Sequence, residues 1–166
     1  MNDVASKKEI FALFGAASYR AIAFEQELII MHLAAARLKD PSVSAAALCE
    51  LDRELSDKKT TLGTLLGRTK QALRVEKDVE EAFDAALEAR NDLVHRFWYR
   101  TSGVSDTEDA YAALLAWLRQ AILKFRRAEQ EARQIADAIA QRGSVEQLTL
   151  EVLDHLRGDC LPNRPN

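Results

Sequence analysis

Ile10-Phe-Ala-Leu-Phe-Gly-Ala-Ala-Ser-Tyr-Arg-Ala-Ile-Ala-Phe-Glu-Gln-Glu-Leu-Ile-Ile-Met-His-Leu-Ala-Ala-Ala-Arg-Leu38 is the stretch that decides the fold. Within it Ile10, Phe14, Ala17, Ala21, Phe24, Leu28, Met31, Ala35 and Leu38 recur at alternating spacings of four and three. That seven-residue period marks a helix packed lengthwise against others. Leu13, Ile22, Ile29, Ile30 and Leu33 add apolar area outside this seam, so the helix is expected to meet more than one neighbour. Gly15-Ala16-Ala17 offers a place for another backbone to approach closely. Ser6 with Glu9 reads as a capping box at the start, and Asp40-Pro41 ends the helix, because the residue before proline is pushed out of the α region.

The same grammar continues outward. Ser42 to Asp57 reads as a shorter amphipathic helix, and Thr60-Thr61 opens another through Leu62, Leu65 and Leu66. Gly63 and Gly67 with Arg68-Thr69 imitate a phosphate loop, but three residues separate the glycines where the motif has four, and no strand precedes them. Glu76 to about Arg100 is the next long helix. Its wheel places Val79, Phe83, Ala86, Leu87, Val94 and Phe97 on a core stripe that Arg90 interrupts. Ser105 with Glu108 reads as a second capping box before a helix over Asp106–Gln141. The seam of that helix is Tyr111, Leu115, Leu118, Ile122, Phe125, Ala132, Ile135 and Ile139. A third box, Ser144 with Gln147, opens a short helix to Gly158, and residues 159–166 are expected to be a disordered tail. No strand pattern and no repeat appears. The expectation is an all-α antiparallel bundle of about four to six helices forming one domain over 1–166, its main body at 6–141 with an additional helix at 144–158.

Composition agrees. The chain has 166 residues, enough for one core, with 48% hydrophobic and 30% charged residues, 6 Gly and 3 Pro. A net charge of −3 carries no basic field of the kind that nucleic-acid or membrane binders show. Locally, six basic residues between Lys58 and Lys77 face one acid, Glu76. Cys49 and Cys160 stand in no metal spacing and read as reduced thiols of a cytoplasmic protein. No membrane span is visible, no metal or other cofactor is expected, and the acid-x-x-His pattern needed twice for a di-iron bundle occurs once, at Asp92 and His95.

Chemistry-bearing residues gather in Arg90-Asn91-Asp92-Leu93-Val94-His95-Arg96-Phe97-Trp98-Tyr99-Arg100. Asn91 and His95 are one helical turn apart and can meet. Arg90 lies about 140° from His95 around the helix, but its long side chain can bring the guanidinium towards the same cleft. Guanidinium binds phosphate oxygens in a fork, and imidazole moves protons near neutral pH. Together they suit RNA cleavage in which the 2′-hydroxyl attacks its own phosphate. The spacing equally allows a structural role, with Arg90 paired to Glu25 or Glu27 and His95 in a polar cluster. His32 reads as a satisfied core histidine or an interface residue, and His155 as exposed.

Arg90-Asn91-x-x-x-His95, on the penultimate long helix of a small all-α chain, resembles the Arg-x4–6-His signature of the HEPN domains. The resemblance covers roughly residues 6–141. It implies a homodimer in which two motifs face one cleft, and a metal-independent endoribonuclease of a toxin–antitoxin or defence system. Arg90 and His95 would then be the catalytic pair, Asn91 their support, and Arg96, Tyr99 and Arg100 RNA contacts. A cognate antitoxin or nucleotidyltransferase is the implied partner. Where toxins paired with nucleotidyltransferases carry a tyrosine two residues after the histidine, this chain has Phe97, its nearest tyrosine being Tyr99. Two other readings stand beside this one: a non-catalytic dimeric interaction module, antitoxin-like or a scaffold, and a nucleotide-binding bundle without cleavage.

Overall fold

A computed structural model describes residues 3–57, 60–73, 75–102 and 107–142. Among these the chain forms five helices and no strand: α1 (Asp3–Lys39), α2 (Ala45–Leu55), α3 (Leu62–Ala72), α4 (Lys77–Ser102) and α5 (Glu108–Arg142). The fold is an all-α helical bundle. The chain divides into two compact units, Met1–Glu27 with Arg74–Ala132, and Leu28–Leu73 with Arg133–Asn166.

In the first unit α1 and α4 run antiparallel. Phe14 stacks on Phe97 with ring centroids 3.9 Å apart, and further along Phe24 meets Phe83 at 5.5 Å. α5 runs parallel to α1, as the ion pairs Glu9–Arg119 (2.8 Å) and Arg20–Glu129 (3.0 Å) show. The α1 seam is buried from Ile10 through Ala17, Ala21, Phe24, Leu28 and Met31. Phe14 and Ala35 of the seam are half-buried, and Leu38 at its end is 40% exposed. On α5, Tyr111, Leu118, Phe125, Ala132 and Ile139 are buried as read, Leu115, Ile122 and Ile135 of the same seam are half-buried, and Leu114, Ala121, Ala128 and Ala136 are buried in addition.

Three local expectations are corrected. Ser6 is not an N-cap, because α1 already starts at Asp3. Among the described residues of the single chain no backbone approaches Gly15, where an added Cβ would meet nothing within 4 Å. On α4 the buried line is Val79, Ala82, Phe83, Ala86, Ala89, Leu93 and Phe97, while Val94 is 51% exposed. Leu93 and Val94 are neighbours about 100° apart on the wheel, and the contacts of Phe97 and Phe83 select the line through Leu93. The Ser105 capping box, the 144–158 helix and the 159–166 tail lie outside the described residues. At the start of α5 it is the Thr107 hydroxyl that accepts from the Ala110 amide, at 3.4 Å.

In the second unit, α1 ends at an Asx turn: the Asp40 carboxylate accepts from the Ser42 amide (2.9 Å) and hydroxyl (2.6 Å). Ser44 and Thr61 cap α2 and α3 by accepting from the Ala47 and Thr64 amides, both at 3.2 Å. Thr69, fully buried on α3, donates its hydroxyl to the Leu65 carbonyl at 3.0 Å and lies 2.8 Å from His32 Nε2. A hydroxyl has one proton to give, so His32 Nε2–H is the donor. His32 is thus a half-buried histidine with a partner, as its place in the sequence suggests.

That pair has a pH signature. Burial pushes the His32 pKa below its ordinary 6.5, the Arg68 charge pushes the same way, and the Leu65 carbonyl offsets them in part. Above that value both the folded and unfolded forms are neutral there and the contribution is complete. Below it, the unfolded chain takes up a proton that the folded chain resists, and stability falls until the folded pKa is passed. Urea unfolding of the wild type and His32→Gln near pH 7.5 and pH 5.5 reads this out. The wild type should lose more stability on acidification; equal losses would contradict the assignment.

Candidate functional site

The site expected from sequence sits on the C-terminal half of α4. The helix carries Asp78 and Glu80 in its first turn and Arg100 in its last, a charge order that suits its macrodipole. Thr101 and Ser102 close it by donating their hydroxyls back to the Phe97 and Tyr99 carbonyls at 3.0 and 3.3 Å.

On the wheel Arg90 falls between Phe83 and Phe97 of the buried line, and its side chain is half-buried there. Its Nε lies 3.8 Å from Glu25 Oε1 on α1, with the two side chains 30% and 33% exposed. This is one of the two acids the sequence offers it. The contact is an ion pair at the limit of its range. Burial pushes the Glu25 carboxyl pKa up, and the Arg90 guanidinium pulls it back only in part. The attraction is therefore weaker than the cost of taking the carboxylate out of water.

Asn91 and His95 are exposed, on the side of α4 turned away from the buried line. No hydrogen bond joins them among the described residues. Arg96 pairs with Asp92 across one turn at 3.3 Å, and the Arg100 guanidinium lies over the Trp117 ring, 4.9 Å from its centroid. Tyr99 is 82% exposed. Within one chain, then, Asn91, His95, Arg96 and Tyr99 share open surface, whereas Arg90 faces α1. Arg90 and His95 are not brought together.

Of the aromatics, Phe97 is core but Trp98 is 62% exposed, packed by one edge against Phe97 and Phe11. Beside it the three helices of this unit leave a cavity of about 430 Å³, lined by apolar side chains such as Ile10, Phe11, Trp98 and Leu114 and by the polar Lys7, Thr101 and Ser102. No sequence signal announced this space, because its walls come from helix ends some ninety residues apart. The basic run Lys58–Lys77 forms no free patch where it is described. Arg68 pairs with Glu54 at 2.9 Å, Lys77 with Glu81 at 3.7 Å, and Lys70 has a partner. Lys58, Lys59, Arg74, His155 and Cys160 lie outside the described residues. Cys49 is a free, half-buried thiol.

Among the described residues no group of three or more His, Cys, Asp or Glu side chains is placed to hold a metal ion. No helix among them is long and apolar enough to cross a membrane. Fold and surface together define a helical bundle carrying an exposed Asn–His ridge beside a half-buried arginine. Compared with protein-family models, with curated proteins and with solved structures, the chain matches none.

Proposed function

We propose that this is a HEPN-like protein that cleaves RNA through Arg90 and His95 in a cleft shared by two copies of the chain. The observation that carries the reading is the uncovered Asn91–His95 ridge, where the imidazole is open to a substrate and Arg96 and Tyr99 stand within the same turns. His95 takes the proton of a ribose 2′-hydroxyl. The oxygen so freed bonds to the adjacent phosphorus, the P–O5′ bond breaks, and the departing 5′-oxygen takes a proton from solvent water, leaving a 2′,3′-cyclic phosphate and a 5′-hydroxyl. Arg90 holds the phosphate charge. Its loose contact with Glu25 can be exchanged for a phosphate oxygen. Since Arg90 and His95 look in different directions on one chain, the cleft takes the arginine of one copy and the histidine of the other. An antitoxin or nucleotidyltransferase partner belongs to this reading as well.

RNA should be cut, and the same sequence with 2′-O-methyl groups should survive. Cleavage of both would exclude the 2′-hydroxyl route.

A specific observation favours a second reading. The Arg90–Glu25 contact joins α4 to α1, which is what a bundle serving as a non-catalytic interaction module needs from that arginine. In that case purified protein binds a partner and leaves RNA intact.

A further inference from the structure

The back of α1, opposite its core seam, carries Lys8, Ala12, Gly15, Tyr19, Ile22 and Gln26, every one exposed. Their spacings of four and three repeat each seven residues, the period of a helix seam. Here no part of the described chain covers the seam. Tyr19 is 66% and Ile22 57% exposed, and Phe11 at the edge is 52% exposed. A Cβ on Gly15 would meet nothing within 4 Å. Glycine inside a helix costs about 1 kcal/mol relative to alanine, and the packing of the single chain asks for none at this position.

The order of residue sizes along the seam says what covers it. Small side chains, Ala12 and Gly15, come first; large ones, Tyr19 and Ile22, come second. We infer that two copies of the chain associate through this face, with their α1 helices antiparallel about a two-fold axis between Gly15 and Tyr19. In that register Tyr19 lies over the partner's Gly15, Ile22 over the partner's Ala12, and the Gln26 side-chain carbonyl accepts from the partner's Lys8. All six positions are matched, large on small and acceptor on donor.

Parallel helices would set Tyr19 on Tyr19 and Gly15 on Gly15, overfilling one level and emptying the next. An unrelated partner would impose no relation between the two halves of the seam. A two-fold contact imposes this one, since each patch must complement itself. From Lys8 to Gln26 the seam is about 27 Å long at 1.5 Å per residue. A helix pair of that length covers part of the ~800 Å² per partner found in standard interfaces. Phe11 and Trp98, with ring centroids 6.4 Å apart and both exposed, widen it on the α4 side.

The pairing supplies the two-copy assembly on which the RNA reading rests, and the two are told apart because a chain that dimerises through this face and leaves RNA uncut overturns the cleavage alone. Sedimentation equilibrium of the full chain from about 1 to 200 µM tests it. The wild type should dimerise. Gly15→Leu fills the space reserved for the partner's Tyr19 and should weaken association at least about tenfold. Circular dichroism of this variant should stay as helical as the wild type, the space being open in the single chain. Ile22→Glu should give a monomer, and decides the matter should Gly15→Leu lose helicity. A wild type that stays monomeric, or a dimer that neither substitution weakens, overturns the pairing.

Discussion

Replacing Phe97 by alanine should lower the unfolding free energy by about 3–5 kcal/mol, the range for deleting a buried aromatic ring. Phe97 is fully buried, and its ring stacks on Phe14 at 3.9 Å and meets Phe11 edge-on at 6.2 Å. Three aromatic rings, Phe11 and Phe14 of α1 and Trp98 of α4, pack against it, and Trp98 and Phe11 also touch each other. Relaxation cannot close such a hole cheaply: Phe14 and Leu93 are fixed by their own helices, and Trp98 would have to turn its exposed ring inward. Urea denaturation near neutral pH gives the number, and a loss below about 1.5 kcal/mol would show that this cluster is not the anchor of the α1–α4 pair.

The second large effect concerns rate, with little cost in stability. Arg90→Ala and His95→Ala should each reduce RNA cleavage by about 10²–10⁴-fold, the usual contribution of a positioned acid–base group. His95 is exposed, so His95→Ala should stay within about 0.5 kcal/mol of wild-type stability. Arg90→Ala breaks an ion pair whose members are about a third exposed, worth up to about 1 kcal/mol. It also leaves the Glu25 carboxylate without its offsetting charge, so its cost should sit at the upper end of that range. A loss of several kcal/mol in either variant would mark the pair as structural.

The sequence reveals the helices well and the directions of side chains less well. Periodicity locates α1 because its seam repeats over six buried positions, from Ile10 to Met31, and each misplacement would put a large residue in water. Thr61 and Asp40-Pro41 mark ends through local chemistry, so they are legible without knowing the fold, whereas the helix read from Ser42 starts at Ala45 behind a Ser44 cap. α4 was harder. Leu87, Leu93 and Val94 are all apolar, so the wheel tolerates a rotation of the stripe. Only the long-range contacts to Phe14 and Phe24 fix it, and with it the fate of Arg90. The cavity beside Trp98 and the His32–Thr69 hydrogen bond are long-range in the same sense. The exposed α1 seam was legible as excess apolar surface, but only burial shows which residues of that surface remain uncovered.

The central claim is that Arg90 and His95 act together on one phosphate from two chains. The direct measurement is RNA cleavage by the Arg90→Ala and His95→Ala proteins alone and after mixing. Each alone should be inactive while the wild type cuts. Mixing should restore activity, because a mixed dimer carries one site with an intact arginine from one chain and an intact histidine from the other. Activity in either variant equal to the wild type, no restoration on mixing, or a wild type that leaves RNA uncut would contradict the account.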